Sequence, residues 1–443
     1  MVRNRHCLFV FLCSSFVASF AAITSAQGVP QEHVNAQRLN ATLKKLSEYG
    51  RNPDGGVTRL GYSETDMAAR EYVIGLMKDA GLTVRIDSAG NIFGHRDGSQ
   101  KLPVILFGSH IDSVVHGGNY DGDVGSLGSI EVMRALNESS VKTRHPLEVV
   151  IWTNEEGNHF GIGTLGSGIA AGLIGPEILE RKDDQGVSFA EWLHRYGQDP
   201  AKLANAHIPQ GALAASLELH IEQGPTLYEK KIPIGVVQGI VAVRRWSCLI
   251  TGFANHAGTT PMNRRHDALA AASKDVLAVR DVVRGETGTQ VGNVGMMKVE
   301  PGAPNVVPGR VEFPVELRDL EDAKVARMWE HVAERLRRTD KEEGVGTHCE
   351  ATDEVNSARA DANVQAAIRE AAKSAGLASV DLPSFAGQDS QNIAKLAPMG
   401  MIFIPSKDGI SHSPKEYSSP EDIANGAEVL YRTVLLLDQR LNL

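Results

Sequence analysis

Four short apolar runs recur along the chain, and each ends close to a histidine or an acidic residue. They are residues 104–107, 147–152, 216–219 and 401–405, and the polar positions that follow them include His110, Glu155 with Glu156, His220 and His412. Continuous apolar runs of four to eight residues are typical of strands buried on both faces. In open α/β sheets, ligands bind beyond the carboxyl ends of such strands. The pattern therefore predicts an α/β domain with one site at the carboxyl edge of its sheet.

The first run leads directly into the sequence His110-Ile111-Asp112. Because residues i and i+2 at a strand end point the same way, we expect the Asp112 carboxylate to accept the free ring N–H of His110 and to orient it. A second carboxylate, Asp121, follows within a glycine-rich stretch. Alone, this pattern fits a histidine satisfied at a strand end as well as it fits a metal ligand. The recurrence at four strand ends favours the metal ligand.

The residues at the four strand ends form a nitrogen and oxygen donor set without thiolates. Such a set suits Zn, Mn or Co. Five ligands exceed one tetrahedral site. They would serve two divalent ions that share a carboxylate and hold a hydroxide between them. The ligands predicted in this way are His110, Asp121, Glu156, His220 and His412. Since Glu155 and Glu156 are adjacent carboxylates that face different ways, we expect them to divide the work, one as a ligand and one as a base.

A series of motifs carries a family resemblance over about residues 35–436. The chain resembles the amidase family of N-carbamoyl-L-amino-acid hydrolases, β-ureidopropionases, allantoate amidohydrolases and ureidoglycolate amidohydrolases, a branch of the dinuclear metallopeptidase superfamily. The motifs, in order, are GSHIDS, GGNYDG, TNEEG, LHIEQGP, ANHAGTTPM, PNVVPGRVEF with ELRD, and GISHSP.

The resemblance implies a role for each ligand. Asp121 bridges the metals, His110 and His220 hold one of them, and Glu156 and His412 hold the other. Glu155 is the general base. In related peptidases the position of His220 is typically an acid, so a histidine there places the chain in the carbamoyl-amide branch.

The pattern changes at residue 241. Strands are predicted over 241–253, 289–299, 309–318 and 346–352, and helices over 265–283 and 320–338, which is a βαββαβ, ferredoxin-like unit. We therefore predict a discontinuous catalytic domain, 27–240 and 354–443, with a mostly parallel sheet and flanking helices. Residues 241–353 are predicted to be an inserted lid and dimerisation domain.

Two positions in the inserted segment point back to the chemistry. From the residues alone, His256 fits a surface histidine and Arg318 fits an ion-pair partner on the polar face of a strand. The resemblance instead assigns His256 to polarising the substrate carbonyl across a homodimer interface. It also assigns Arg318, with Asn305, to gripping the substrate carboxylate, for which a planar guanidinium is suited.

The chain departs from its relatives in one motif near the substrate. Where relatives commonly read GAGHDA, this chain reads Phe385-Ala386-Gly387-Gln388-Asp389-Ser390. Gln388 cannot take up a proton as histidine would, so the identity of the substrate stays open. Gly387 and Gln223 are predicted to contact it.

The amino terminus has the pattern of a secretory signal peptide. Residues 1–26 contain Arg3 and Arg5, an apolar core and a small-residue cleavage site at Ala26, although a retained anchor is the alternative. Export to the periplasm or the medium is expected. After cleavage, 43 basic and 54 acidic side chains remain, a net charge of −11. Such an acidic chain is not expected to bind nucleic acid or an anionic membrane. Cys248 and Cys349 fit a disulfide or two buried thiols.

The leading functional hypothesis is metal-dependent hydrolysis of a carbamoyl or ureido C–N bond in a small carboxylate. A metallo-exopeptidase or aminoacylase of the same superfamily is a second enzyme hypothesis. A non-catalytic periplasmic protein that binds metal or ligand is a third, and Glu155 argues against it, because a pure binder does not need a carboxylate beside its ligands.

Overall fold

A computed structural model describes residues 1–2 and 33–441. Nearly all of the predicted signal peptide, residues 3–26, lies outside the described residues. In the part of the chain that is described, no helix is both long enough and apolar enough to span a bilayer.

The described residues form helices and strands in alternation. The helices are α1 (Ala36–Leu46), α2 (Glu64–Asp79), α3 (Asp123–Glu138), α4 (Leu165–Ala170), α5 (Phe189–Arg195), α6 (Thr226–Lys230), α7 (Ala268–Gly285), α8 (Asp322–Glu343), α9 (Ala362–Ser374), α10 (Asp389–Ile393) and α11 (Pro420–Arg440). The strands are β1 (Thr83–Ile86), β2 (Ile92–Arg96), β3 (Val104–His110), β4 (Leu147–Trp152), β5 (Leu213–Ile221), β6 (Ile234–Ile240), β7 (Ala242–Thr251), β8 (Asn255–His256), β9 (Val291–Asn293), β10 (Lys298–Glu300), β11 (Val306–Val307), β12 (Arg310–Asp319), β13 (Gly346–Val355), β14 (Ala358–Arg359), β15 (Ser379–Ser384) and β16 (Met399–Ile404).

The larger sheet has the order β1-β2-β4-β3-β5-β16-β6-β14, and β15 also pairs with β6. Its centre, β4-β3-β5-β16, is parallel, whereas β1, β2 and β14 at the two ends pair antiparallel. The chain thus has a mixed α/β fold with a central, mostly parallel sheet. Because the four central strands are parallel, their carboxyl ends meet at one edge.

The central strands are buried on both faces, as their apolar sequences predict. In β3, Ile105 and Phe107 belong to one apolar cluster, with helices α1, α3, α9 and α11, while Leu106 belongs to another with Trp152. Alternate residues of one strand thus contribute to two cores. This burial fixes the position of the strand ends that carry the site.

The second sheet has the order β10-β12-β7-β13, with β9 also pairing with β12, and all its pairs are antiparallel. Helices α7 and α8 pack on it around a separate apolar cluster. The strand predicted over 289–299 is wrong as a single element, because the chain leaves the sheet between β9 and β10, where Gly295 and the exposed Met296 lie.

A disulfide joins Cys248 of β7 to Cys349 of β13. The two residues are direct partners across the antiparallel strand pair. Of the two alternatives that the sequence left open, the structure has the disulfide.

Candidate metal and active site

The predicted ligands meet at the carboxyl edge of the larger sheet, around a cavity of about 440 Å³. Four of the predicted ligands, His110, Asp121, Glu156 and His412, line it together with the predicted base Glu155. His220 lies beside them and is 1% exposed. Gln223, Arg318, Gly387 and Gln388 line the same cavity.

Asp121 lies at the centre of the arrangement, and its two carboxylate oxygens face different partners. Oδ1 is 3.1 Å from Nε2 of His220 and 3.7 Å from Nε2 of His110. Oδ2 is 3.2 Å from Nε2 of His412, which is itself 3.4 Å from Oε1 of Glu156. We call His110, Asp121 and His220 the strand-borne group and Asp121, Glu156 and His412 the loop-borne group. Within each group, the donor atoms lie within 4.8 Å of one another, as ligands of one ion would.

The two histidines of the strand-borne group are held by backbone carbonyls. Nδ1 of His110 donates to the carbonyl oxygen of Asp112 at 3.0 Å, and Nδ1 of His220 donates to the carbonyl oxygen of Ile221 at 2.9 Å. Each bond fixes the tautomer that leaves Nε2 free to bind metal. His110 is thus ready to act as a ligand. Although burial lowers the pKa of His220, its hydrogen bond with Asp121 raises that pKa to about 9, so this ring must lose a proton when a metal ion binds.

The expectation that the Asp112 carboxylate orients His110 is wrong in detail. That carboxylate is 3.7 Å from Nδ1, too far for a hydrogen bond. It accepts instead from the backbone N–H groups of Glu155 and Glu156, each at 3.1 Å. The backbone N–H groups in the turn after β4 need hydrogen-bond acceptors, and the Asp112 carboxylate is the acceptor that they use. Asp112 therefore supports the His110 ring through its carbonyl and the two glutamates through its side chain.

The ligands of the loop-borne group come from turns rather than strands. Glu156 follows the end of β4, and His412 lies in the loop after β16 with φ of 52° and a side chain that is 48% exposed.

Asn154 and Gln223, like His412, have left-handed backbones, with φ of 54° and 57°. The side-chain nitrogen and oxygen of Asn154 are buried and have no hydrogen-bond partner among residues 1–2 and 33–441.

Gly122 shows how closely the backbone approaches the site. Its φ is 67°, and a Cβ at this position would lie 2.5 Å from the His110 ring. Only glycine therefore allows the turn that places Asp121 against the imidazoles at the start of α3.

The electrostatics of the cavity favour cation binding. Burial, with the neighbouring Glu156, raises the pKa of Glu155 well above its usual range. Burial and the charge of Asp121 raise the pKa of Glu156 to about 8. Burial lowers the pKa of His110 to about 4, so this ring is neutral at pH 7 and can act as a ligand. Clustered buried carboxylates beside neutral imidazole are what divalent Zn, Mn or Co would stabilise. The residues fit the predicted metals.

A chain of side-chain amides reaches Asp121 from the cavity wall. Nε2 of Gln388 donates to Oε1 of Gln223 at 3.1 Å, and Nε2 of Gln223 donates to Oδ2 of Asp121 at 2.7 Å. Because a carboxylate only accepts, this contact fixes which end of the Gln223 amide faces Asp121. Gln388 thus contacts Asp121 indirectly, through Gln223.

Arg318 lines the cavity and is also ion-paired. Its Nε donates to Oε1 of Glu316 and its Nη1 to the carbonyl oxygen of Phe385, both at 2.7 Å. The ion pair with Glu316 and the position in the cavity wall are thus both present, so the structure is compatible with either interpretation of Arg318. Because Arg318 belongs to β12, the second sheet contributes to the cavity.

His256 and Asn305 are not brought to the cavity by this chain. Both are exposed, and they lie close together on the two-stranded sheet of β8 and β11, where His256 is opposite Val306. The peptide N–H of Ala257 donates to the carbonyl oxygen of Asn305 at 2.9 Å. Within one chain, Arg318 and Asn305 do not form a joint contact site.

Sequence reasoning missed Glu416 and Ser411. Glu416 is 4% exposed and accepts hydrogen bonds from the peptide N–H of Asp121 and from the Ser411 hydroxyl. The spacing from His412 to Glu416 carries no general signal, because this contact depends on a loop 295 residues earlier in the chain.

Comparison with known proteins places this site in a family. The model of peptidase family M20/M25/M40 matches residues 106–436, and the chain belongs to this family. The chain is 42% identical over 407 residues to an N-carbamoyl-L-amino acid amidohydrolase of Geobacillus stearothermophilus, covering 92% of this chain and 99% of that protein. It is 39% identical over 415 residues to a ureidoglycolate hydrolase of Arabidopsis thaliana, covering 91% and 87%.

A solved structure gives the same placement. A hydantoinase/carbamoylase family amidase from Burkholderia multivorans superposes with a TM-score of 0.86 at 38% identity, over 91% of this chain and 98% of that one. Within its family, the chain is an amidohydrolase, of the group that hydrolyses carbon–nitrogen bonds other than peptide bonds.

Proposed function

We propose that the protein uses two divalent metal ions to hydrolyse a carbamoyl or ureido C–N bond in a small carboxylate substrate. The observation that carries this proposal is that two ligand groups share Asp121 and lie in one cavity with Glu155. Zn, Mn or Co in such a site would act as Lewis acids and lower the pKa of bound water.

The chain's own residues supply the proton transfer. Glu155 is buried beside both ligand groups, with Oε2 3.8 Å from Nε2 of His110. A carboxylate with a raised pKa takes a proton from water and returns it to the leaving nitrogen, as a general base and then a general acid. Metal binding would lower the proton affinity of Glu155 from its value in the metal-free site, because the ions add positive charge nearby.

Substrate contacts come from the cavity wall. Arg318 and Gly387 line it together with the ligands, and Gln223 presents an amide beside Asp121. In this proposal Arg318 binds the substrate carboxylate. Since the amides of Gln223 and Gln388 are neutral at every pH, they suit an uncharged part of the substrate, such as a carbamoyl group.

The segment 241–353 acts in this proposal as a lid and dimerisation domain on the catalytic domain formed by 27–240 and 354–443. The exposed positions of His256 and Asn305 support a role toward a second copy of the chain, because neither reaches the cavity of its own chain. Export with removal of residues 1–26 also remains a proposal.

The test is an assay of the purified protein, freed of metal and then loaded with Mn, Co or Zn. The substrates are N-carbamoyl-L-amino acids, ureidoglycolate, allantoate and dipeptides. We expect activity only with metal, two ions per chain by elemental analysis, and ammonia release from carbamoyl or ureido compounds. Activity that survives chelation would refute the proposal. Release of an amino acid from dipeptides without ammonia would favour an exopeptidase, and binding without turnover would favour a metal- or ligand-binding protein.

A further inference from the structure

Glu416 contacts two of the three chain segments that supply the loop-borne group, those of Asp121 and His412. Its Oε1 accepts the peptide N–H groups of Tyr120 and Asp121 at 2.9 and 3.0 Å. Its Oε2 accepts the hydroxyl of Ser411, the neighbour of His412, at 2.8 Å. One buried carboxylate therefore sits between two ligand-bearing loops.

The Ser411 hydroxyl lies between the carboxylates of Glu416 and Asp121. Its Oγ is 2.9 Å from Oδ2 of Asp121 as well as 2.8 Å from Oε2 of Glu416, and its single proton is donated to one of these carboxylates at a time. Asp121 is thus contacted twice, at its backbone by Glu416 and at its side chain by the serine that Glu416 holds. A Cβ built at Gly118 would overlap the Glu416 carboxylate, so the Asp121 loop packs directly against it.

The loop-borne group needs such support more than the strand-borne group does. His110 and His220 lie on buried strands, and their rings donate to nearby backbone carbonyls. His412 lies on an exposed loop, and its Nε2 faces Asp121 and Glu156. The distance between Asp121 and His412 therefore depends on what holds their loops together.

We propose that Glu416 is a positioning residue that sets the spacing of Asp121 and His412, and so determines the affinity of the loop-borne group for its metal ion. This inference rests on the proposed function, because it requires two bound ions. Glu416 acts through the loops rather than by touching metal or substrate. Removing partners that orient metal ligands commonly lowers affinity 10- to 100-fold.

The test is calorimetric titration of metal-free protein with Mn²⁺ or Zn²⁺ alone. For Glu416→Ala, we expect one ion to bind with wild-type affinity and the other to bind about 10- to 100-fold more weakly. Glu416→Gln should keep both affinities within a few-fold of wild type. Its amide oxygen can still accept from the two peptide N–H groups, and its NH₂ can donate to Ser411. Ser411→Ala should weaken the same ion by less than Glu416→Ala does.

Glu428 provides a matched control. It is also a buried carboxylate, and its Oε2 accepts two peptide N–H groups, those of His33 at 2.8 Å and Val34 at 3.3 Å, away from the metal site. Glu428→Ala should bind both ions as wild type does, even if its melting temperature falls.

Three results would overturn the inference alone: unchanged affinities in Glu416→Ala, equal weakening of both ions, or a loss in Glu416→Gln as large as in Glu416→Ala. The last would mean that the charge of Glu416 matters rather than its contacts. If wild-type protein binds fewer than two ions, the proposed function fails and this inference fails with it.

Discussion

The two halves of the candidate metal site use similar ligands but differ in what holds them. The strand-borne group takes its histidines from β3 and β5, where both rings are 1% exposed. The loop-borne group takes Glu156 and His412 from turns, and the His412 side chain is 48% exposed. Packing fixes the first half, whereas hydrogen bonds between loops fix the second. We therefore expect the strand-borne group to tolerate changes around it and the loop-borne group to depend on its neighbours.

The Glu155→Gln variant tests whether the two halves of the metal site work together in catalysis. Glu155→Gln should keep both ions but lower kcat by a factor on the order of 10² to 10⁴, because the base is lost while every ligand stays. Metal analysis and steady-state kinetics of the same preparation check this. Glu156→Gln is the companion variant and should lose metal from the loop-borne group. Near-normal turnover in Glu155→Gln would remove Glu155 from the mechanism.

The comparison is sharpened by removing one histidine from each half. His220→Ala should lower metal content and destabilise the metal-free protein by about 1–3 kcal/mol, because it removes the nearest partner of Oδ1 of the buried Asp121. His412→Ala should also lower metal content but change stability by only about 0.5 kcal/mol, because the side chain is half exposed.

Thermal unfolding of the metal-free variants measures this difference. His116→Ala is the control, since His116 is an exposed loop residue paired with Asp54. Equal destabilisation by His220→Ala and His412→Ala would contradict the proposed difference in support.

The next comparison is between the ligand edge and the second sheet. If Arg318 binds the substrate carboxylate, Arg318→Lys should raise KM, because lysine keeps the charge but not the planar fork. Arg318→Ala should raise KM further and lower kcat/KM roughly tenfold to a hundredfold, with metal content unchanged. Kinetics with a carboxylate substrate and with its neutral amide measure this. Equal impairment of both substrates would mean that Arg318 serves only the ion pair with Glu316.

The smallest expected effect concerns the amide chain. Gln388→Met has a similar size but cannot donate to Gln223, so KM should rise by about 2- to 10-fold, the worth of one neutral hydrogen bond. Gln391→Met is the matched variant. Gln391 lines the same cavity but donates away from it, to the carbonyl oxygens of Val241 and Asn356. If both variants raise KM equally, the shape of the cavity wall matters rather than the contact with Gln223.

The strands that carry His110 and His220 could be predicted from the sequence because their signals are local. An apolar run that ends in a histidine specifies both the strand and the place where the ligand lies, as β3 and His110 show. The break between β9 and β10 was missed, because β-branched residues on both sides of it read as one strand.

Contacts between distant loops could not be read in this way. Glu416 contacts a loop nearly three hundred residues away in the chain, and no period or spacing encodes that contact. The same holds for Asp112, whose carboxylate was free to serve either the His110 ring or the peptide N–H groups of the next turn. The packed structure decides which donors reach a given acceptor, so a motif alone does not settle it.

The left-handed backbones of Asn154, Gln223 and His412 have a consequence for engineering. Each such conformation in a residue other than glycine costs free energy of folding, on the order of 1 kcal/mol. Asn154 adds the cost of two buried polar atoms that have no partner in the described part of the chain. Selection of variants for heat resistance alone should therefore accumulate substitutions at these three positions, and we expect many of the survivors to be inactive. A screen for a more durable enzyme would have to select for turnover at every round.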